Sequence, residues 1–309
     1  MMEDYHKIIK ALTVKFVAAS SMKVLQPLTI ENFYDVENIL MLINGGQIGY
    51  SQEGRQESGK PGELLFIPSG MPITITYGGA DSINLSNDYF LDNRWKYLQA
   101  IPEPVAHTSF ESFSYITFDA RVFEAINLFT SLSIPSFIIK DNDRLSTIFK
   151  SILTENTAQA VGRDRVLAIS TELLVIELLR HMLNKNLIAE KLAANHTYFK
   201  DARLINIVSY ISKNLGGDLS NSRLAAVANV SEDYMGQYFK LLTGISPQDY
   251  IEYQRMEQAT KLLRTTSKRI SDISKEVGFK DTAYFCRRFK LRFGIQAGKM
   301  RNREALLTS

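Results

Sequence analysis

Two stretches near the C-terminal end of the chain decide its fold. Tyr234–Ile245 reads YMGQYFKLLTGI and Tyr284–Ile295 reads YFCRRFKLRFGI, and at an offset of 50 six of the twelve positions are identical. Upstream the match continues at an offset of 49, where Asn229 corresponds to Gly278. This spacing predicts that each copy is a short helix, a tight turn and a second helix, so that a helix-turn-helix motif is present twice.

The residues at the ends of each second helix support this assignment. Ser231 in the first copy and Asp281 in the second are suitable N-caps, because their side chains can accept a hydrogen bond from a free backbone N–H group. Gly244 and Gly294 follow each helix and suit the left-handed position at a helix C-terminus. We therefore expect the two second helices to begin near Ser231 and Asp281.

The segment between the two copies predicts a linking helix. Ser246 is a suitable N-cap, Pro247 suits the first helical position, and apolar residues recur through Gln248–Arg264. About 18 helical residues rise roughly 27 Å. A rod of that size holds two helices in successive major grooves, which lie roughly 34 Å apart. A helical repeat array is the alternative, but such arrays need three or more copies.

A longer signature surrounds the two copies. Its positions are Leu224-Ala225, Ser231, Phe239-Lys240, Gly244-Ile245-Ser246-Pro247, Tyr250, Arg255, Ala259, Leu262-Leu263, Ile270, Ile273, Val277-Gly278-Phe279, Asp281, Tyr284-Phe285, Arg287, Phe289-Lys290 and Gly294. With this pattern, residues 200–303 resemble the DNA-binding domain of AraC/XylS-type transcription regulators. The second copy departs from the family at its end, where Gln296-Ala297 replaces Ser-Pro and Met300-Arg301 replaces an aromatic residue followed by arginine. The resemblance implies binding to double-stranded DNA and contact with RNA polymerase.

The charge is divided unevenly along the chain. Residues 1–200 hold 18 basic and 22 acidic side chains, whereas residues 201–309 hold 18 and 11. A basic domain on an acidic body is typical of a protein that binds a polyanion. The single cysteine, Cys286, excludes an intramolecular disulfide and a cysteine-based zinc site, so a reducing, cytoplasmic compartment is expected. We expect no membrane segment, and Ile8–Ala19 predicts a first strand, or a helix followed by a strand, rather than a signal peptide.

Helix geometry selects the residues that would read DNA. Exposed positions in the first two turns of each second helix reach base edges. These candidate base contacts are Asp233, Gly236, Gln237, Thr282, Ala283, Cys286 and Arg287. Arg287 is the strongest candidate because its guanidinium group matches the acceptor edge of guanine, and Gln237 can bond adenine through two hydrogen bonds.

Two further sets complete the predicted interface. Side chains that position the protein on phosphates without specifying sequence are expected at Lys240, Lys280, Arg288, Lys290 and Arg292. Apolar positions of the first copy are expected to pack inward: Tyr234, Met235, Tyr238 and Phe239. A solvated helix face is the alternative for each polar position. Cys286 is a candidate redox switch, but a small packing residue is the simpler interpretation.

The first 118 residues predict a β-rich domain. Short apolar or alternating stretches are separated by glycine-containing turns, which is typical of a sandwich or barrel. Gly62–Gly70 resembles the second cupin motif, but Ile73 stands where metal-binding cupins have a histidine. The four histidines are scattered: His6, His107, His181 and His196. We therefore expect a cupin-like sensor barrel without metal or cofactor. Its alternate inward residues enclose an effector or fill a core: Leu65, Ile67, Ile73 and Ile75.

Residues 119–195 predict a helical connector with a dimer contact. Within Asp164–Asn184, one apolar strip recurs at three- and four-residue steps: Val166, Ile169, Leu173, Ile176 and Leu183. A second strip adds further apolar positions: Leu167, Leu174, Leu178, Leu179 and Met182. A helix that is apolar on this much of its circumference must be covered on two sides. We expect residues of the same chain to cover this helix, either alone or together with a second subunit.

The sequence thus predicts an α+β protein of two domains. A cupin-like barrel spans residues 1–118, a helical connector spans residues 119–195, and a DNA-binding domain with two helix-turn-helix motifs spans residues 200–303. Three functions remain open: an effector-responsive regulator that is an activator by resemblance, a ligand-independent regulator whose barrel only dimerises, and a cupin enzyme carried by a DNA anchor. The missing histidines oppose the enzyme, and the sequence lacks nucleophile-elbow, Walker and dinucleotide-binding motifs.

Overall fold

In a computed structural model, the chain forms two compact units. The structure describes residues 9–79, 82–101, 109–122, 126–188, 201–243, 245–293 and 295–305. One unit is β-rich and comprises Thr13–Arg121 and Asn127–Ile188, and the other contains the C-terminal helices. The predicted α+β class with two domains is therefore confirmed. None of the described helices is long and apolar enough to span a bilayer.

The β-rich unit contains two sheets. Its strands are β1 Leu12–Val24, β2 Leu28–Phe33, β3 Asn38–Gly45, β4 Ile48–Gln52, β5 Arg55–Gly59, β6 Leu64–Ile67, β7 Ile73–Tyr77, β8 Ile83–Ser86, β9 Leu98–Ile101, β10 Ser112–Val122, β11 Ile126–Asn127 and β12 Phe137–Ile139. One sheet has the order β12-β6-β3-β10-β1-β9, with β11 beside β10, and the other has the order β5-β4-β7-β2-β8. Two such sheets let the inward residues of both form one core.

The inward residues predicted on β6 and β7 are buried. Leu65 and Ile75 are fully buried, and Ile67 and Ile73 are each 2% exposed. β3 and β12 pair with the two edges of β6, and all four residues of β6 are buried, so both faces of this strand are covered. A strand in that position reads as a continuous apolar run rather than as an alternating one.

The Pro-Ser-Gly turn after β6 is held by buried hydrogen bonds. The Ser69 N–H donates to Asn38 Oδ1 at 3.1 Å, and Asn127 Nδ2 donates to Ser69 Oγ at 2.8 Å. Thr130 Oγ1 donates to the Ser69 carbonyl at 3.0 Å. Gly70 has a φ of 79°, which a residue with a side chain rarely adopts. The motif therefore fixes how the chain leaves the core strand.

The region predicted as a helical connector begins with more strand than expected. β10 continues to Val122, and β12 pairs with β6 so that Phe137 lies opposite Phe66. Strands of two or three residues are too short to show a periodicity, so the pattern assigned them to the helical region. The described helices of this unit are α1 Asn87–Asn93, α2 Leu128–Ser131, α3 Asp143–Thr157 and α4 Arg163–Asn184.

Only one of the two apolar strips of α4 forms part of the core. Its buried members are Leu167, Leu174, Leu178, Leu179 and Met182. On the other strip, Val166 is 42% exposed, Ile169 is 53% exposed and Leu173 is 40% exposed. Within the β-rich unit, α4 therefore keeps an apolar face that the packing of that unit does not cover.

The C-terminal unit is helical. Its described helices are α5 Ala202–Lys213, α6 Asn221–Ala228, α7 Glu232–Thr243, α8 Pro247–Thr265, α9 Ile270–Glu276, α10 Thr282–Phe293 and α11 Ala297–Ala305. The Ser246 side chain caps α8 by accepting from the Asp249 N–H at 3.1 Å, and Pro247 occupies the first helical position as predicted. The predicted C-terminal glycines Gly244 and Gly294 lie outside the described residues.

The turn between the two helices of each copy has the same geometry. In the first copy Asn229 has a φ of 56°, and the next N–H, of Val230, donates to the Ala225 carbonyl. In the second copy Gly278 has a φ of 95°, and the N–H that follows it donates to the Ser274 carbonyl. The offset of 49 found in the sequence is therefore also an offset between equivalent hydrogen bonds.

Candidate DNA interface

The second helices of the two copies, α7 and α10, each bury one side and expose the other. On α7, Met235 and Phe239 are fully buried and Tyr238 is 3% exposed. On α10, the rings of Phe285, Phe289 and Phe293 form a buried ladder, with neighbouring centroids 5.5 and 4.4 Å apart. These aromatic rows orient both helices, so that the opposite side of each faces solvent.

The predicted base contacts of the first copy lie on the solvent side of α7. Asp233 and Gln237 are exposed, and Gly236 is partly exposed between them. A Cβ atom added at Gly236 would meet no described atom within 4 Å, so the surface there is open. The helix begins at Glu232, and the Met235 N–H donates to the Ser231 carbonyl. Its first two turns are therefore accessible to a ligand.

The predicted base contacts of the second copy lie on the equivalent side of α10. Ala283 and Arg287 are exposed, and Thr282 and Cys286 are partly exposed. Asp281 caps the helix, since its carboxylate accepts from the Ala283 N–H at 2.7 Å. Burial raises the pKa of the Cys286 thiol, which disfavours the thiolate that redox chemistry would need.

The side chains predicted to contact phosphates differ in their exposure and in the contacts that they make within the chain. Lys240, Lys280 and Lys290 are exposed. Arg292 is also exposed, and its guanidinium lies 4.5 Å from the ring centroid of Tyr253 on α8.

Arg288 is held by the linking helix. Its Nε donates to Glu252 Oε1 at 2.6 Å, and its Nη2 lies 2.5 Å from the same oxygen. The hydrogen bond and the charge of Glu252 raise the pKa of this guanidinium. Arg288 therefore fastens α10 to α8 and offers less to an outside anion than its neighbours do.

Sequence reasoning missed four exposed apolar side chains on this surface. Tyr234 was expected to pack inward but is 45% exposed, and its counterpart Tyr284 is 42% exposed. Leu241 and Leu291, also equivalent in the two copies, are 78% and 75% exposed. Tyr234 belongs with the solvent side because it lies one helical turn before the exposed Gln237. The sequence signal that could have indicated this exposure is that the same residue types occupy the equivalent positions of both copies.

The two copies carry unequal charge. Asn221–Thr243 holds two basic and two acidic side chains, whereas Ile270–Phe293 holds six and three. Basic side chains gain affinity for a nucleic acid by displacing its counterions. The second copy is therefore the stronger electrostatic anchor.

Comparison with known proteins assigns the C-terminal part. Residues 224–303 match a family described as a helix-turn-helix domain. The lactose operon transcription activator of Staphylococcus xylosus is 36% identical over 95 residues, which cover 31% of this chain and 34% of that protein. An HTH-type transcriptional regulator of Staphylococcus aureus is 26% identical over 141 residues, which cover 46% of this chain and 19% of that protein. The matches thus span about a third and a fifth of these relatives.

Two further comparisons cover most of the chain. An HTH-type transcriptional regulator of Haemophilus influenzae is 23% identical over 281 residues, covering 87% of this chain and 88% of that protein. The crystal structure of ToxT from Vibrio cholerae covers 97% of this chain and 99% of its own with a TM-score of 0.53 at 11% identity. The likeness to ToxT concerns the fold. The C-terminal part of this chain is therefore a helix-turn-helix domain of the AraC type, carried by a chain with the two-domain fold of ToxT.

Proposed function

We propose that the chain is a sequence-specific DNA-binding transcription regulator that inserts α7 and α10 into two successive major grooves. The single observation that carries the proposal is the duplication: two equivalent helices expose equivalent N-terminal faces. The helix between them, α8, has 19 residues and therefore a length of about 28 Å. That length suits two grooves on one side of a duplex. The relatives are named as regulators, which favours regulation over the cupin enzyme.

The exposed residues receive specific roles in this proposal. Arg287 reads guanine and Gln237 reads adenine, because their side chains match those base edges. The remaining base-edge positions are Asp233, Gly236, Thr282, Ala283 and Cys286, and the phosphate contacts are Lys240, Lys280, Lys290 and Arg292. Arg288 supports α10 through Glu252 rather than contacting a phosphate.

The β-rich unit is proposed to receive a small-molecule effector, and the regulator to activate transcription with RNA polymerase. Two named relatives support this assignment: one is an activator of a lactose operon, and ToxT has been crystallised with an unsaturated fatty acid. A ligand-independent regulator is the alternative. A thermal-shift screen with sugars and fatty acids separates them, because a ligand of the native state raises the unfolding temperature.

We further propose that two copies of the chain form a homodimer through the exposed face of α4. Val166, Ile169 and Leu173 are each at least 40% exposed on one side of a 22-residue helix. Leu173→Glu places a charge on that face and should shift the chain from dimer to monomer in sedimentation velocity. Leu291→Glu adds the same charge on α10 and serves as the control.

Selection of duplexes from a random library tests the proposed DNA binding. The full chain should enrich a site with two elements about one helical turn apart. Its affinity should fall steeply with salt, and Lys290→Ala should weaken all sequences alike and lower the salt slope by about one. Failure to enrich any sequence, with or without an effector that stabilises the chain, would reject the proposal.

A further inference from the structure

A loop that precedes the first copy touches the turn of the second copy. A Cβ atom added at Gly216, in the loop between α5 and α6, would lie 2.5 Å from the Glu276 carbonyl oxygen. A Cβ atom added at Gly278 would lie 2.4 Å from the Leu215 carbonyl oxygen. Real Cβ atoms do not approach backbone that closely, so both positions require glycine. The loop between α5 and α6 therefore meets the turn of the second copy through backbone, with no room for a side chain between them.

Arg255, on the linking helix α8, occupies the centre of this contact. Its Nε donates to the Leu215 carbonyl at 3.0 Å, and its guanidinium carbon lies 5.9 Å from the ring centroid of Phe279. The same carbon is 2.7 Å from the Cβ position of Gly278. The group is half-buried, and burial lowers its pKa. A backbone carbonyl and an aromatic face hold this cation in place.

The first copy shows that the turn itself does not demand glycine. Asn229 occupies the equivalent left-handed position with a φ of 56° and the equivalent hydrogen bonds. Asparagine tolerates this conformation, because its short polar side chain bonds locally. The glycine at 278 is therefore explained by what lies beside it, namely the Leu215 carbonyl and the Arg255 guanidinium. The glycine at 278 thus marks a contact with the loop between α5 and α6, which leads directly into the first copy.

We propose that Arg255 is a positioning residue that fixes the separation and orientation of α7 and α10, and with them the number of base pairs required between the two DNA elements. The proposal rests on the proposed function, in which both copies bind one duplex. It is supported on the neighbouring turn of α8, where Glu252 holds Arg288 of α10. Loss of the Arg255 contact frees the second copy to turn about α8.

The test measures tolerance to spacing rather than affinity alone. The duplex selected by the wild-type chain is compared, by fluorescence anisotropy, with duplexes that carry one or two extra base pairs between the elements. The variants are Arg255→Leu, Arg255→Lys and Gly278→Asn. Asn229→Gly is the matched control, because it changes the equivalent turn of the first copy. Thermal unfolding of each full-length variant precedes the binding measurement.

The wild-type chain should prefer the native spacing by about tenfold or more, since a rigid pair of sites loses its second contact when the geometry fails. Arg255→Leu and Gly278→Asn should bind the native duplex more weakly and reduce that preference toward one, Arg255→Lys should fall between, and Asn229→Gly should match wild type. Wild-type preference in folded Gly278→Asn or in either folded Arg255 variant would overturn the inference. So would a wild-type chain that tolerates the insertions, whatever the variants do. A wild-type chain that enriches no sequence would instead reject the proposed function.

Discussion

Arg287 and Arg288 are adjacent, but only one of their two guanidinium groups is free to meet an outside ligand. The variants Arg287→Ala and Arg288→Ala therefore test two different roles. Arg287 is exposed, and no ion pair to it is found among the described side chains. Arg288 is bound to Glu252 on α8. If α10 enters a major groove, the first variant should lose recognition of a base and the second should lose support for the helix.

The expected magnitudes differ in kind. Arg287→Ala should weaken binding to the selected duplex by about 1–3 kcal/mol, roughly 5- to 150-fold, and leave the free energy of unfolding within about 0.5 kcal/mol. The side chains of Arg288 and Glu252 are 40% and 26% exposed, so their pair is screened by solvent. Arg288→Ala should therefore cost at most about 1 kcal/mol of stability and weaken DNA binding to every sequence alike.

The assay is anisotropy on two duplexes, the selected one and one in which the G·C pair assigned to Arg287 is replaced by A·T. The ratio of the two affinities should fall toward one in Arg287→Ala and keep its wild-type value in Arg288→Ala. Urea unfolding of the same proteins supplies the stability comparison. If Arg288→Ala loses the discrimination and Arg287→Ala retains it, the assignment of the two arginines from their surroundings is wrong.

Three further predictions concern stability. Phe289→Ala should lower the free energy of unfolding by about 3–5 kcal/mol because Phe289 is fully buried. Leu291 is 75% exposed, so Leu291→Ala should change that free energy by less than about 0.5 kcal/mol. Equal losses for the two variants in urea unfolding would contradict this prediction. Ser246→Ala should cost about 1 kcal/mol in the same assay by removing the cap on the Asp249 N–H, and no loss would mean that α8 needs no cap. Burial, and then the charge of Lys185, lower the pKa of His181 below its ordinary 6.5. At a pH near that value, His181 is therefore protonated to a greater extent in the unfolded chain than in the folded chain. Stability should therefore fall as the pH drops through that ordinary value and fall less in His181→Gln; unfolding curves with the same pH slope would refute it.

The C-terminal unit was predictable in detail because duplication supplied an internal control. Ser231 and Asp281 mark the helix starts in both the sequence and the structure, and Ser246 caps the linking helix as expected. The pairing of Arg288 with Glu252 was not predictable, since the two residues are 36 positions apart and only the packing of α10 on α8 brings them together. The solvent exposure of Tyr234 was missed because the apolar character of an aromatic side chain does not reveal whether that side chain is buried or exposed.

The N-terminal unit was predictable only in class. Alternation and glycine turns identified a β-rich domain, but α1 and the short strands β9, β11 and β12 left no periodic signal. Phe137 reads as part of a helical region until its pairing with Phe66 across β6 and β12 is known. The two apolar strips of α4 were visible, yet which one is buried depends on where α3 packs, and that is a property of the whole unit.

The unequal charge of the two copies has a kinetic consequence. Electrostatic attraction acts before contact and weakens over a Debye length, about 8 Å at physiological salt. The second copy, with six basic side chains against three acidic ones, should therefore face the duplex during the encounter, while the first copy, with two of each, docks afterwards. Removing a positive charge from α10 should slow association, whereas removing Gln237 from α7 should shorten the lifetime of the complex. The charge of the second copy thus governs how quickly DNA is found, and the base contacts of both copies govern how long it is kept.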